Sequence, residues 1–157
     1  MEELQHCEIL KTNINVTNMS DTIKYIGGHL DDLRGKYICV SNVHTTVMSY
    51  ENEEYRKIQN GAAMALPDGA PLSSYSRRKG YKQAQRVTGP DLMLELFAIS
   101  KEKGYRHYFY GATEETLQSM KEVLERDYPG IQIAGMYATR ILALTPQDGA
   151  QMVGTMI

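Results

Sequence analysis

Residues 62–71 read AAMALPDGAP and place a strand, a turn and the start of a helix within one short stretch. The apolar run Ala62–Leu66 is typical of a short strand buried in a sheet. The tripeptide PDG at 67–69 has the composition of a tight turn, and a helix is predicted over Ala70–Arg78. A strand that passes through a turn into a helix is the repeating unit of α/β domains.

The same alternation continues on both sides of this stretch. Predicted strands cover Glu8–Val16, Lys36–Ser41, Arg106–Tyr110 and Ile131–Met136, and predicted helices cover Asn18–Leu33, His44–Gln59, Gly89–Lys103, Thr113–Asp127 and the residues from Thr145. The pattern therefore predicts one α/β domain over residues 1–157. No strand follows the last predicted helix, so the domain is expected to be incomplete at its C-terminal end.

Composition excludes several classes of protein. The chain has 157 residues, 42% of them hydrophobic, and a net charge of −2, which argues against a nucleic-acid partner. Two cysteines without a CxxC pair, Cys7 and Cys39, favour a reducing cytoplasm, with Cys39 expected in the core. The four histidines lack the spacing of metal ligands, so no metal site is expected. No window approaches the roughly 18 apolar residues of a membrane span, so any membrane contact is expected to be peripheral.

Polar residues follow the second predicted strand. Asn42, His44 and Thr45 stand where α/β proteins bind ligands, at the carboxyl end of a strand. Their side chains could hydrogen-bond a sugar or a phosphate. The alternative is that Asn42 caps the next helix and that His44 is a surface residue.

Asp68 is the candidate general base. It stands between Pro67 and Gly69 at the end of a predicted strand, so a stiff turn would hold its carboxylate in one place. An ordinary Pro-Asp-Gly turn without a catalytic role is the alternative.

Two further junctions have the composition of a diphosphate site. Gly111 follows the strand RHYFY and could let backbone N–H groups approach a diphosphate at a helix start, or it could form only a tight turn. Arg86 could donate two parallel hydrogen bonds to a diphosphate just before the helix that begins at Gly89. Asp91, in the first turn of that helix, could bind substrate or only complement the helix dipole.

A basic cluster lies between Asp68 and Arg86 in the sequence. It consists of Arg77, Arg78, Lys79 and Lys82. Such a run is typical of a solvated face, and it could also meet acidic lipid headgroups or a lipid diphosphate.

Four motifs in order resemble one family. NVHT at 42–45, LPDGAP at 66–71, RVTGPDL at 86–92 and YFYGAT at 108–113 are similar to those of the WecG/TagA/CpsF glycosyltransferases, glycosyltransferase family 26. The resemblance runs from Ile9 to about Pro146. It departs at Val40, where many members carry threonine, and at Ile157, where the chain ends before the family's last motif and basic tail.

The resemblance implies a Rossmann-like fold with a mainly parallel sheet flanked by helices. It implies an inverting transfer of an N-acetylmannosamine-like sugar from a UDP-sugar to a polyprenyl-diphosphate-linked acceptor, without a metal or other cofactor. The expected location is the cytoplasmic face of the cell membrane, in teichoic acid or capsule synthesis, and some members form homo-oligomers. Asp68 matches the proposed base, Arg86 a diphosphate-stabilising arginine, and Asn42 and Gly111 residues beside the donor.

Two alternatives stay open. One is a sugar-nucleotide-binding module without catalytic activity, or a truncated inactive fragment. The other is an unrelated nucleotide-binding enzyme such as an NAD-dependent oxidoreductase, against which the absence of a GxGxxG motif argues.

Overall fold

Six strands and six helices follow one another in the part of the chain that the computed structural model describes, residues 4–139. In chain order they are β1 (His6–Ile9), β2 (Thr12–Asn15), α1 (Met19–Gly28), β3 (Ile38–Ser41), α2 (Val43–Glu51), α3 (Glu53–Gly61), β4 (Met64–Pro67), α4 (Ala70–Arg78), α5 (Gly89–Lys103), β5 (Arg106–Tyr110), α6 (Glu114–Asp127) and β6 (Gln132–Tyr137). Strands β3 and β4 pair in parallel, as do β5 and β6, and β1 and β2 are antiparallel. The prediction of a Rossmann-like α/β fold with mainly parallel strands is confirmed.

The chain divides into two compact units, Met1–Glu95 and Leu96–Ile157, with the boundary inside α5. The single domain over residues 1–157 stays a prediction, and the helix predicted from Thr145 lies outside the described residues.

The first unit begins with a hairpin, and the prediction of one strand over Glu8–Val16 is wrong. The chain reverses at Leu10 and Lys11, which have φ values of +49° and +64°. Both residues are therefore in the left-handed region, as the two central residues of a type I′ turn are. Neither is a glycine or an asparagine, so the sequence gives no turn signal, and the alternating pattern runs through both strands.

Two predicted helices have different bounds in the structure. The segment His44–Gln59 is not one helix, because Asn52 is extended (φ −120°, ψ 114°) and separates α2 from α3. The Asn52 side chain accepts a hydrogen bond from the backbone N–H of Tyr55, which starts a new helix at this point. Helix α1 ends at Gly28 instead of Leu33, consistent with the low helix propensity of its final glycine pair.

The core of the first unit joins the hairpin to β4. Its buried cluster consists of Cys7, Ile9, Ile14, Ala65 and Leu72. The Ala65 backbone N–H donates to Asn15 Oδ1 at 2.6 Å, which links β2 to β4 through a buried side chain. Every residue of β4 is buried, whereas Ala62 and Ala63 of the predicted buried strand Ala62–Leu66 precede β4 and are half-buried.

Strand β3 is less buried than the sequence predicts. Val40 is 37% exposed and Cys39 is only partly buried, packed against the core cluster from outside. Burial nevertheless raises the pKa of the Cys39 thiol above its ordinary value. The prediction that Cys39 is a core residue is therefore correct only in part.

The second unit is built on the parallel pair β5–β6. A register irregularity lies between His107 and Tyr108, and Gly135 faces the Tyr108 ring. His107 Nε2 lies 2.6 Å from Ser100 Oγ, and the Phe97 ring meets the imidazole edge-on. Because the Ser100 hydroxyl hydrogen goes to the Leu96 carbonyl, the imidazole Nε2 is the donor to Ser100.

Candidate active site

Asp68 lies in the turn between β4 and α4, and backbone bonds from two neighbouring segments hold that turn. The Asp68 N–H donates to the Ser41 carbonyl at 2.8 Å, which extends the β3–β4 pairing by one residue. The Val87 N–H donates to the Pro67 carbonyl at 2.9 Å. The backbone of the turn is thus fixed, and the Asp68 side chain is 28% exposed, so it is partly accessible to solvent. The role of Asp68 as a general base stays a prediction.

Arg86 is brought against Asp68 by two contacts. Its Nε donates to the Asp68 backbone carbonyl at 2.6 Å, and one of its terminal nitrogens lies 3.7 Å from Asp68 Oδ1. The Arg86 side chain is 57% exposed. Exposed ion pairs contribute only about 0–1 kcal/mol to stability, so the more informative point is that the pair places a cation beside the carboxylate.

The segment that carries Arg86 is pinned on both sides. Gln85 donates its N–H to the Thr17 carbonyl at 2.8 Å, and Val87 donates to Pro67 as described. Because the residues before and after Arg86 are both held by backbone hydrogen bonds, the Arg86 backbone is fixed beside the end of β4.

Asn42 caps α2, as the alternative interpretation proposed. Its Oδ1 accepts from the Thr45 N–H at 3.1 Å, and the Thr45 Oγ1 accepts from the Asn42 N–H at 2.9 Å, which is a capping box. His44 is exposed and has no side-chain hydrogen bond among residues 4–139. The roles of Asn42, His44 and Thr45 in binding a substrate stay predictions.

The Asn42 cap lies against the Asp68 turn. A Cβ added at Gly69 would stand 3.8 Å from both Cα and Cβ of Asn42. Gly69 is also the N-cap residue of α4, with Pro71 in that helix's first turn. The structure therefore brings Asn42, Asp68, Gly69 and Arg86 together at the carboxyl ends of β3 and β4.

Ser41 and Thr88 have roles that the sequence did not reveal. Ser41 is fully buried and donates its hydroxyl to Gln59 Oε1 at 2.7 Å, so this hydroxyl serves the fold and not a ligand. Thr88 is buried, and its Oγ1 accepts from the Asp91 N–H at 3.1 Å at the start of α5. A threonine three residues before an aspartate is the available signal for such a cap.

Gly89 and Asp91 occupy the first turn of α5. A Cβ at Gly89 would stand 3.6 Å from Val40 Cγ1, an ordinary van der Waals distance. Asp91 is exposed in the first turn, where a carboxylate stabilises the helix dipole. Neither arrangement tests the predicted binding roles.

Gly111 belongs to the second unit. It has φ +121°, so the turn after β5 requires a residue without a side chain. Its N–H donates to the Tyr137 carbonyl at 2.9 Å and so belongs to the sheet. The predicted approach of backbone N–H groups to a diphosphate at this turn stays a prediction.

A cleft of about 320 Å³ lies in the first unit, away from Asp68. It borders the N-terminal side of β4, where Ala62, Ala63 and Ala65 form part of its wall. Asp68 follows the other end of that strand. Among residues 4–139 no group of three or more His, Cys, Asp or Glu side chains could hold a metal ion. The helices within that same range are all too short or too polar to cross a bilayer.

Comparison with known proteins supports the resemblance seen in the motifs. Residues 7–156 match the model of the "Glycosyl transferase WecG/TagA/CpsF family". An N-acetylglucosaminyldiphosphoundecaprenol N-acetyl-beta-D-mannosaminyltransferase of Bacillus spizizenii is 32% identical over 107 residues, 68% of this chain and 42% of that protein. The Bacillus subtilis protein of that name is 26% identical over 76% of this chain and 47% of its own length.

A Staphylococcus aureus protein of the same name is 22% identical over 81% of this chain and 51% of its own length. The chain thus spans about half the length of the relatives it matches. Since the family model covers nearly all of the chain, the protein belongs to the WecG/TagA/CpsF glycosyl transferase family.

Proposed function

We propose that this chain carries the catalytic centre of an inverting glycosyltransferase, with Asp68 as its general base. The donor is a UDP-linked N-acetylhexosamine similar to N-acetylmannosamine, and the acceptor is a sugar linked to a polyprenyl diphosphate. One observation carries the proposal: a carboxylate held in a fixed turn with an arginine beside it, at the carboxyl ends of two parallel strands. The names of the three relatives support the sugar and the acceptor, since they describe transfer of N-acetylmannosamine to N-acetylglucosaminyldiphosphoundecaprenol.

The reaction is a single displacement. A hydroxyl oxygen of the acceptor attacks the anomeric carbon, the carbon–oxygen bond to UDP breaks, and UDP leaves with the bonding electron pair. Asp68 takes the hydroxyl proton as attack proceeds, which requires a fixed carboxylate oxygen within hydrogen-bond reach. One displacement at the anomeric carbon inverts its configuration.

Arg86 supports the departure of UDP. The diphosphate gains charge as the bond breaks, and a cation aimed at that charge lowers the barrier. The proposal assigns this work to Arg86 and to backbone donors, with no metal ion or other cofactor, so a chelator should leave the transfer rate unchanged. The further residues proposed to contact the substrates are Asn42, His44, Thr45, Gly69, Gly89, Asp91 and Gly111.

The proposed setting follows from the acceptor. A polyprenyl diphosphate is anchored in a bilayer, so the enzyme would work as a peripheral protein at the cytoplasmic face of the cell membrane. The product would enter a surface polymer such as teichoic acid or capsule. Association of several copies belongs to the same proposal, and the mass of the chain in solution tests it.

Asp68→Asn tests the proposed base. The amide keeps the size of the side chain and cannot accept the proton, so transfer should fall at least about 100-fold, in the range typical of general base catalysis. UDP affinity, measured by calorimetry, should stay close to that of the unsubstituted chain. Arg86→Ala is the matched variant, and it should weaken UDP binding.

The outcomes separate the proposal from its alternatives. Unchanged transfer by Asp68→Asn would remove Asp68 from the mechanism. UDP binding without any transfer by the unsubstituted chain would identify a sugar-nucleotide-binding module. Binding of NAD in preference to UDP would contradict the proposed donor.

A further inference from the structure

Charge is strongly segregated along the first unit. The stretch 69–90 contains five basic residues and no acidic residue, namely Arg77, Arg78, Lys79, Lys82 and Arg86. The rest of the chain holds the other 12 of the 17 basic residues and all 19 acidic residues. A protein with a net charge of −2 therefore concentrates positive charge in one short stretch.

Four of these side chains form one exposed basic surface, defined here as Arg77, Arg78, Lys79 and Lys82. They occupy the last turn of α4 and the turn that follows it, and all four are exposed. No ion pair between described residues involves any of them, whereas Arg86 pairs with Asp68. The positive charge of the basic surface is thus not neutralised by neighbouring carboxylates.

The fold holds these charges in a fixed arrangement. The Arg77 guanidinium donates to the Ala84 carbonyl at 2.8 Å and to Ser74 Oγ at 2.9 Å. The Tyr81 N–H donates to the Ser76 carbonyl at 3.1 Å. These bonds fold residues 79–84 back onto α4, so Lys82 stays close to the end of the helix.

Helix α4 connects the candidate active site to the basic surface. Helix α4 begins two residues after Asp68, and at about 1.5 Å per residue Arg78 lies roughly 12 Å along the helix axis from its start. The chain then returns to Asp68 through Arg86. A bilayer bound at the end of α4 would therefore lie on the order of 12 Å from the start of that helix, which follows Asp68 by two residues.

We propose that the basic surface holds this protein on an anionic lipid bilayer. The inference rests on the proposed function, because only a lipid-linked acceptor requires the site to work at a membrane. Each exposed lysine or arginine near such a bilayer is attracted by its negative surface potential. A long polyanion such as RNA would extend beyond these four cations and be repelled by the net negative charge of the rest of the chain. A planar bilayer contacts only the face that carries the basic surface.

Co-sedimentation with lipid vesicles tests the proposal. The 157-residue chain is mixed with vesicles of phosphatidylglycerol and phosphatidylcholine, or of phosphatidylcholine alone. The test variant combines Arg78→Gln and Lys82→Gln, which spares the hydrogen-bonded Arg77. The control combines Lys24→Gln and Lys57→Gln, two exposed lysines of the same unit that remove the same charge elsewhere.

The unsubstituted chain and the control should bind the vesicles that contain phosphatidylglycerol and should not bind those of phosphatidylcholine alone. The test variant should bind roughly 30-fold more weakly, as expected for the loss of two cations near an anionic bilayer. Binding should also weaken near 1 M salt, where the screening length is about 3 Å. Unchanged melting temperatures would show that both double variants fold.

Three results would overturn the proposal: no binding to anionic vesicles, equal losses in the test variant and the control, or displacement from vesicles by double-stranded RNA. Vesicle binding needs neither donor nor acceptor. Failure of sugar transfer with vesicle binding intact would therefore reject the proposed function and not the role of the basic surface. Sugar transfer without vesicle binding would reject only the role of the basic surface.

Discussion

Asp68 and Arg86 are joined by two different contacts, and only one of them involves the carboxylate. The short bond runs from Arg86 Nε to the Asp68 backbone carbonyl, and the carboxylate lies farther away at 3.7 Å. A substitution of the Asp68 side chain therefore leaves the bond that orients the guanidinium. This is the physical reason why Asp68→Asn can test the proposed proton transfer separately from the proposed diphosphate binding.

Gly135 is a residue at which the lack of a side chain is required by packing. A Cβ there would stand 2.5 Å from Cε2 and 2.9 Å from Cδ2 of the Tyr108 ring. Gly135→Ala must displace that ring, so it should lower the free energy of unfolding by about 1–3 kcal/mol, the usual cost of overpacking.

Gly28→Ala is the matched control for that substitution. Gly28 ends α1 and a Cβ there meets nothing within 4 Å, so its variant should be as stable or up to about 1 kcal/mol more stable. Urea unfolding measures both variants. Equal stability of the two would contradict the close approach of Gly135 to Tyr108.

At the scale of elements, side-chain caps mark where most of the described helices start. Asn18, Asn42, Asn52 and Thr113 each accept a hydrogen bond from a backbone N–H in the first turn of the helix that follows. The caps Asn18 and Thr113, each the first residue of a predicted helix, were predictable because a short polar side chain precedes an apolar period. The Asn52 cap was not predictable, because the residues on both sides of Asn52 have the pattern of one continuous helix.

The Asn42 cap separates a structural role from a binding role. Asn42→Ala removes the acceptor for the Thr45 N–H and should cost about 1 kcal/mol of stability. Asn42→Asp keeps an acceptor, and its negative charge suits the start of α2, so stability should be retained.

UDP titration of the same two variants checks the binding role. If Asn42 contacts the donor, Asn42→Asp should weaken UDP binding by repulsion of the diphosphate while the protein stays fully folded. Normal UDP affinity in Asn42→Asp would leave Asn42 as a helix cap alone.

At the scale of the whole molecule, burial of a titratable group in the second unit makes stability depend on pH. Burial lowers the pKa of His107 below its ordinary value of 6.5. The unfolded chain then binds a proton more readily than the folded one, so the His107 contribution is full above pH 6.5 and is lost as pH falls from there toward the lowered pKa.

The expected observation is a fall in the free energy of unfolding below pH 6.5 that is smaller in His107→Gln. Chemical unfolding at a series of pH values measures both proteins. The comparison at neutral pH corrects for the lost hydrogen bond to Ser100. An identical pH dependence in the two proteins would show that His107 titrates alike in the folded and unfolded chains.

Much of the fold was predictable because it depends on short-range pattern. Helices α4 and α5 and strand β5 have the bounds predicted, since each has a clear period and a turn residue at its end. The hairpin at Leu10 and Lys11 was not predictable, because its left-handed turn uses residues that seldom adopt that conformation. The exposure of β3 also depends on what packs beside it, which no local pattern contains.

The sequence by itself determined the α/β class, the family and the identity of the residues at the strand ends, because periodicity, turn chemistry and motif order are local properties. Only the tertiary structure decided which of those residues meet. In that structure Arg86 donates to the Asp68 carbonyl, the buried Ser41 hydroxyl donates to Gln59, and the Gly111 N–H donates to the Tyr137 carbonyl. Such pairings join residues distant in sequence, so they depend on how the whole chain packs.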